Sequence, residues 1–339
     1  MIVILRSDAT EAQIQHIVDR ATKLGLKSNV SRGVERTVIG FIGKEDALRE
    51  IPLEVFPGVE QVLQVLAPYK LVSREFKKGQ DTIIKLPFNT QVGGKKIAVM
   101  AGPCSIESYD GMKSLAKMIK KQGANILRGG AFKPRTSPYD FQGLGEEGLK
   151  ILQQVGREEG ICTISEVMDT RQVELVAKYV DILQIGARNI QNFSLLKEVG
   201  ACKKPVMLKR GMSTTVKEWL MSAEYLLAHG NFDVMLCERG IRTFETATRN
   251  TLDVNAVAVA KKLTHLPVVV DPSHGTGSWE YVAAGARAGI AVGCDALMIE
   301  VHDNPEEALS DGAQSLMPDK FAELMVSCKR VAQAVDREM

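Results

Sequence analysis

At 339 residues the chain is long for one compact domain, and length alone suggests about two. Its 45% hydrophobic and 25% charged residues describe a globular protein with ample core, while a net charge of +2 offers no bulk field for nucleic acid or a membrane surface. No apolar run reaches the roughly 20 residues needed to span a bilayer, and the apolar start is too short for a secretory signal, so the expected compartment is the cytoplasm. The six cysteines stand without CxxC pairing, which excludes a zinc ribbon or a dense disulfide frame.

Residues 1–70 read as a small module of order βαββαβ. A strand over 1–5 precedes a helix over 10–24, where Thr10 is the expected cap and Ile14, Ile17, Val18, Ala21 and Leu24 share one face. Strands over 27–31 and 36–42 turn around Gly33, a second helix is expected over 46–56, and a strand over 59–66 closes the module. This order suits a ferredoxin-like fold, which serves sensing and purely structural roles alike. Residues 71–81, polar and charged, read as a linker.

From residue 82 to 339 the pattern becomes strands alternating with helices, after a hairpin around 89–94. Eight strands are expected, over 96–101, 125–128, 162–165, 182–185, 206–209, 234–237, 268–270 and 296–301. Helical periodicity marks 112–122, 148–158, 171–179, 216–229, 252–263 and 320–335. Eight such units over about 250 residues are the dimensions of an α/β (β/α)8 TIM barrel. No G-x-G-x-x-G follows the first strand to support a doubly wound open sheet.

In such a barrel the site is built at the carboxyl ends of the strands. Around 127–138 an apolar strand breaks into a loop whose two glycines and two prolines hold Arg128, Lys133 and Arg135 as fixed donors, an arrangement suited to phosphate. Further cations follow other strands: Arg188 after the fourth, Lys209 and Arg210 at the fifth, Arg239 at the sixth. Lone arginines usually form rim ion pairs, but four strand ends supplying cations to one mouth repel each other unless anions sit between them. Glu166, past the third strand, is either an acidic partner within this cluster or an ion-pair partner of Lys209. Strands seven, eight and one are consecutive around a closed ring, so Cys104, His274, Glu300 and Asp311 are expected to converge. A thiolate, an imidazole and two carboxylates suit a divalent metal such as Mn, Fe, Co or Zn.

Seven motifs carry a resemblance: Ala-Gly-Pro-Cys at 101–104, Leu-Arg-Gly-Gly at 127–130, Lys-Pro-Arg-Thr-Ser-Pro at 133–138, Gln-Ile-Gly-Ala-Arg-Asn at 184–189, Leu-Lys-Arg-Gly at 208–211, Cys-Glu-Arg-Gly at 237–240 and Asp-Pro-Ser-His at 271–274. Together they closely resemble the type I 3-deoxy-D-arabino-heptulosonate 7-phosphate (DAHP) synthases, from about residue 80 to the C-terminus. The first module resembles the ferredoxin-like regulatory extension of one branch of that family. The resemblance implies condensation of phosphoenolpyruvate with erythrose 4-phosphate, the entry to the shikimate pathway. It implies that Arg128, Lys133, Arg188, Lys209 and Arg239, with Glu166 and the backbone of Ala187, meet phosphoenolpyruvate, and that Arg135 and Thr136 hold the aldose phosphate. Cys104, His274, Glu300 and Asp311 match the family's metal ligands, with His274 also against substrate, and Lys133 becomes the proton donor. Feedback by phenylalanine or tyrosine at residues 1–70, within a homotetramer, is implied as well.

Three rival readings remain at this point. The sister 3-deoxy-octulosonate 8-phosphate synthases share the barrel and chemistry but take a five-carbon aldose, and Pro134-Arg135-Thr136 departs from their usual motif. A Schiff-base aldolase using Lys209 is a second rival. A catalytically silent sensor of phosphorylated metabolites is the third.

Overall fold

The computed structural model describes residues 1–33, 36–42, 52–63, 68–133, 137 and 139–339. The chain divides into two compact units, Met1–Pro68 and Tyr69–Met339.

In the first unit, strands β1 (Ile2–Leu5), β2 (Lys27–Arg32), β3 (Thr37–Ile42) and β4 (Val59–Leu63) form one sheet in the order β2-β3-β1-β4, and each of the three pairings is antiparallel. The helix Glu11–Lys23 is capped as expected: Thr10 accepts from the Gln13 N–H, and the Gln13 side chain bonds back to Thr10. Its buried Ile14, Ile17 and Ala21 close a small core with Val3, Leu5, Ile39, Phe41 and Leu53. The expected second helix over 46–56 lies outside the described residues up to 51, beyond which Leu53–Val55 is a single 3-10 turn. The last strand ends at Leu63, and 64–66 are likewise outside the described residues.

The second unit is a closed barrel of eight parallel strands: β7 (Ala98–Gly102), β8 (Ile126–Arg128), β9 (Cys162–Val167), β10 (Ile182–Ile185), β11 (Val206–Lys209), β12 (Val234–Glu238), β13 (Val268–Val270) and β14 (Ala296–Glu300), with β14 pairing back to β7. All eight expected strands are present, and their ends shift by up to two residues. Because helices cover the outside, both faces of each strand are buried and the strands read as continuous apolar runs. Met100, Ile126, Ile164, Met207, Met235 and Met298 fill the barrel interior, while Val99, Leu127, Leu183, Leu208 and Leu236 face the helical layer. The helix Tyr109–Gln122 shows how the layer is built. Ser108 caps it, Met112, Leu115, Ala116 and Ile119 face the barrel, and Gly123 ends it at φ 110°. Burial of each large aliphatic contributes about 1.5–3 kcal/mol. Helices also span Phe193–Cys202 and Trp279–Ala291, where the sequence reading named none.

The hairpin is β5 (Ile84–Leu86) with β6 (Thr90–Val92), so its turn lies at 87–89, earlier than expected. Ile84 and Val92 join the interior layer, which closes the amino end of the barrel and leaves the carboxyl end as the mouth. The stretch 71–81, read as a linker, belongs to the second unit. Tyr69 and Val72 enter its core, and Glu224 accepts from the N–H groups of Lys70, Leu71 and Val72 at 2.9 Å each. Polar composition misled here because the segment is held through its backbone. Among the described residues no helix is long and apolar enough to cross a membrane.

Candidate active site at the barrel mouth

Gly102 ends β7 at φ 144°, where a Cβ would meet the Arg128 carbonyl oxygen at 2.2 Å, so only glycine lets the chain turn into Pro103-Cys104. Cys104 Sγ then lies 3.1 Å from Asp311 Oδ2 and 2.8 Å from Lys133 Nζ. Cys104, Glu300 and Asp311 present donor atoms that all lie within 4.8 Å of one another. His274, the fourth expected member, stands at the edge of this group, with Nε2 3.4 Å from Glu300 Oε1. Its Nδ1 is 2.8 Å from Asp271 Oδ2, an ion-pair contact outside hydrogen-bond geometry.

This donor set fits a divalent cation. Burial holds the His274 pKa down, against Asp271, and so favours the neutral ring a metal needs. A neutral ring with its proton on Nδ1, beside Asp271, would turn the Nε2 lone pair to the Glu300 carboxylate, two acceptors that a cation would reconcile. Burial also opposes ionisation of Glu300 and Asp311. It is outweighed at Glu300 by His274 and Arg128, and at Asp311 by the Cys104 hydrogen bond, His274 and Arg249, which leave Asp311 at about 2. Cys104 is pushed up to about 11 by burial and by Glu300, against Lys133 and Arg128; a bound cation reverses that preference.

The cationic sector adjoins this group in a single cavity, whose lining includes Lys133, Arg188, Lys209, Arg239, His274 and Asp311. Arg128, Glu166 and the Gly186-Ala187 turn line it as well. Arg128 donates from Nη1 to Glu300 Oε1 at 2.7 Å, and Lys209 Nζ reaches Asp271 Oδ2 at 2.7 Å. Protein carboxylates therefore neutralise part of the expected repulsion. Orphaned donors remain: Arg128 Nε and Arg239 Nη1 are buried without a hydrogen-bond partner, and burial lowers the Arg239 pKa against Asp271. A buried guanidinium with an orphaned donor calls for an anionic ligand.

Two expectations are corrected. Lys209 pairs with Asp271 rather than Glu166, whose Oε2 accepts from Gln184 Nε2 at 3.0 Å. Arg210 points away from the mouth to Glu238 at 2.8 Å and Asp253 at 2.9 Å, because successive residues along a strand face opposite sides. Arg135 and Thr136 lie outside the described residues. The sequence reading passed over Asp271, Gln184, Arg249 and Gln314 as site members. Asp271 and Gln184 stand inside quoted motifs, whereas Arg249 lies deep in the loop after β12 and belongs to no quoted motif.

A closed parallel barrel whose carboxyl mouth joins buried cations to a thiol–carboxylate donor set defines an enzyme of the (β/α)8 class built for anionic substrates. Comparison with known proteins narrows that class. The chain belongs to the DAHP synthetase I family, whose model matches residues 81–337, and residues 1–67 match the DAHP synthase ferredoxin-like domain. It is 48% identical over 335 residues to the phospho-2-dehydro-3-deoxyheptonate aldolase of Thermotoga maritima, covering 99% of this chain and 98% of that protein. The crystal structure of a Thermotoga maritima DAHP synthase superposes with a TM-score of 0.94 at 46% identity, over 99% of this chain and 98% of the other. A 2-dehydro-3-deoxyphosphooctonate aldolase of Syntrophotalea carbinolica is 34% identical over 246 residues, spanning 67% of this chain and 88% of its own length.

Proposed function

We propose that this chain is a cytoplasmic DAHP synthase that condenses phosphoenolpyruvate with erythrose 4-phosphate and water, giving DAHP and inorganic phosphate at the entry to the shikimate pathway. The observation that carries this reading is the shared cavity, where Arg239 with its orphaned donor, Arg188 and Lys209 stand beside His274 and Asp311. Full-length similarity to the Thermotoga enzyme favours the four-carbon aldose, since the octonate relative matches over only about two thirds of this chain.

In this reading Arg128, Lys133, Arg188, Lys209 and Arg239, with the Ala187 backbone, bind the phosphate and carboxylate of phosphoenolpyruvate. Arg135 and Thr136 are assigned the aldose phosphate on the family motif. Cys104, His274, Glu300 and Asp311 would hold a divalent Mn, Fe, Co or Zn ion, which when bound polarises the aldehyde oxygen. C3 of phosphoenolpyruvate then attacks the aldehyde carbon, and Lys133 Nζ gives its proton to the oxygen that develops charge. The water adding at C2 has two candidate activators, the divalent ion and Glu166, which Gln184 holds and which would take its proton. As the C2–O bond to phosphate breaks, the C2 hydroxyl becomes the ketone oxygen and passes its proton to the departing phosphate, whose charge is met by the row of cations.

For residues 1–70 we propose an effector role, with phenylalanine or tyrosine as ligand and a homotetramer as the working assembly. The match to the DAHP synthase ferredoxin-like domain supports this. A truncated form of the Thermotoga maritima synthase has a solved structure, 44% identical with a TM-score of 0.75 over 80% of this chain and 98% of that one.

The test is phosphate release from phosphoenolpyruvate with erythrose 4-phosphate or arabinose 5-phosphate, with and without chelator. Release with the four-carbon sugar, lost on chelation and restored by a divalent ion, is expected. Preference for the five-carbon sugar, or binding without turnover, overturns the assignment. Deleting residues 1–70 should keep turnover and abolish aromatic inhibition; persistent inhibition rejects that location.

A further inference from the structure

Arg249 lies on the loop that follows β12, between that strand and the helix Val254–Leu263, and it touches the donor-bearing segments from several sides. Its Nη1 is 2.8 Å from Gln314 Oε1 and 3.4 Å from Asp311 Oδ1. Gln314 in turn donates from Nε2 to Glu300 Oε2 at 2.6 Å. The Arg249 N–H donates to the Thr276 carbonyl at 2.9 Å, the Asn250 N–H donates to that of Gly275 at 2.9 Å, and Asn250 Nδ2 reaches the His274 carbonyl at 3.0 Å. Gly277 permits this approach, since a Cβ there would meet Arg249 Cβ at 2.4 Å. Two adjacent residues are thus bonded to the segment carrying His274, to the turn carrying Asp311 and, through Gln314, to Glu300.

The site has reason to need such a tie. Glu300 and Asp311 bring carboxylates together with a thiol in a space where like charges repel. Glu300 is fixed at both oxygens, by Arg128 and Gln314. Asp311 has Cys104 on one oxygen and Arg249 on the other, and it sits at φ 52° on an irregular turn with its side chain 26% exposed. Without Arg249 that side chain would be held at one oxygen only, by Cys104.

We propose that Arg249 is a positioning residue for the cation site and that Gln314 is the relay through which it reaches Glu300. The proposal rests on the reading that Cys104, His274, Glu300 and Asp311 hold a divalent ion. Two effects of Arg249 oppose each other: its charge repels an incoming cation, and its contacts align the carboxylates. Variants that keep net charge separate them, so the test uses Arg249→Lys and Gln314→Ala in the metal-free full-length protein. Mn²⁺ affinity is measured by competition with a chelator, and Co²⁺ loading is followed through the thiolate-to-metal absorption band of Cys104. Both variants should bind Mn²⁺ about 10–100-fold more weakly, the range seen when residues supporting metal ligands are lost. The Co²⁺ band should weaken or move, a change that a loss of global stability in a still-folded protein does not produce. Wild-type or tighter Mn²⁺ binding in both variants overturns the proposal. Weakening in Gln314→Ala alone removes the part given to Arg249, and weakening in Arg249→Lys alone removes the relay. Cys104→Ala is the reference: if it too binds Mn²⁺ normally, the cation-site reading itself has failed, a result distinct from failure of the clamp.

Discussion

Lys209 Nζ and Asp271 Oδ2 meet at 2.7 Å, both side chains buried and 62 positions apart in the chain. They come from β11 and from the end of β13, alternate strands whose inward residues share a layer of the barrel. The same carboxylate oxygen faces His274 Nδ1, so one acid joins the cationic sector to the donor set. Burial disfavours its ionised form, yet His274 and Lys209 hold it well below the usual carboxylate range.

Asp271→Asn should therefore leave Lys209 as an unpaired buried cation. Breaking such a pair by removing one partner costs about 3–5 kcal/mol, read as a lower urea midpoint. An anionic substrate would then replace the lost charge. Phosphoenolpyruvate should raise the melting temperature of the variant more than that of the parent. Equal ligand-induced shifts would show that Lys209 does not meet the substrate's charge.

Lys133→Ala tests the proton donor. Nζ contacts both the sulfur and the carbonyl oxygen of Cys104, so the ammonium is held where substrate and donor set adjoin. Loss of a positioned acid should lower kcat by about 10²–10⁴-fold. The comparison is made on protein with verified metal content, because the substitution also removes a charge beside Cys104. An unchanged kcat at full metal loading removes Lys133 from that role.

Most of the barrel was legible because its strands are short apolar runs bounded by Gly, Pro and charged residues, a pattern fixed by burial on both faces. The helix Trp279–Ala291 was not. Gly285 and Gly289 weaken its helical signal, and their purpose is tertiary: a Cβ at Gly285 would meet Pro272 Cβ at 2.8 Å, and one at Gly289 would meet Val270 Cγ1 at 2.9 Å. At the site, strand-end motifs pointed to Cys104, Glu300, Asp311 and Arg239, since chain position decides which residues reach the mouth. Pairings were hidden. Whether Lys209 chooses Glu166 or Asp271, and whether Arg210 faces in or out, depends on ring closure and strand alternation, which local spacing does not encode.

The segment 69–82 predicts a pH dependence. His265 is fully buried; Nε2 lies 2.7 Å from the Leu71 carbonyl oxygen and Nδ1 is 2.8 Å from Thr82 Oγ1. Burial lowers its pKa; the Leu71 contact opposes this, Lys77 and Arg74 add to it, and Asp81 opposes it. Because the folded value lies below the ordinary value of about 6.5, the unfolded chain takes up the proton first. Stability should therefore hold above about 6.5 and fall as pH drops from there through the folded pKa. Urea midpoints at neutral and mildly acid pH should separate for the parent and converge for His265→Gln. An equal acid loss in that variant would assign the effect elsewhere.

Glu224 offers the sharpest test of how that segment is held. Its Oε1 accepts from Lys70 and Leu71 and its Oε2 from Val72, all at 2.9 Å, directly after the boundary between the two units. Three successive amides on one carboxylate are charge-assisted bonds, about twice as strong as neutral ones. Glu224→Ala removes this acceptor from all three N–H groups, and Glu224→Gln keeps a carbonyl acceptor. Hydrogen exchange at 70–72 should accelerate strongly in the first variant and modestly in the second, while β11 and β12 stay protected, because local opening here leaves the barrel closed. Val72 remains buried in the apolar layer, so the segment should loosen at its backbone without leaving the surface. Unchanged exchange at Leu71 and Val72 in Glu224→Ala would mean that the segment is held without it, by His265 at the Leu71 carbonyl and by Thr264, whose Oγ1 donates to the Val72 carbonyl.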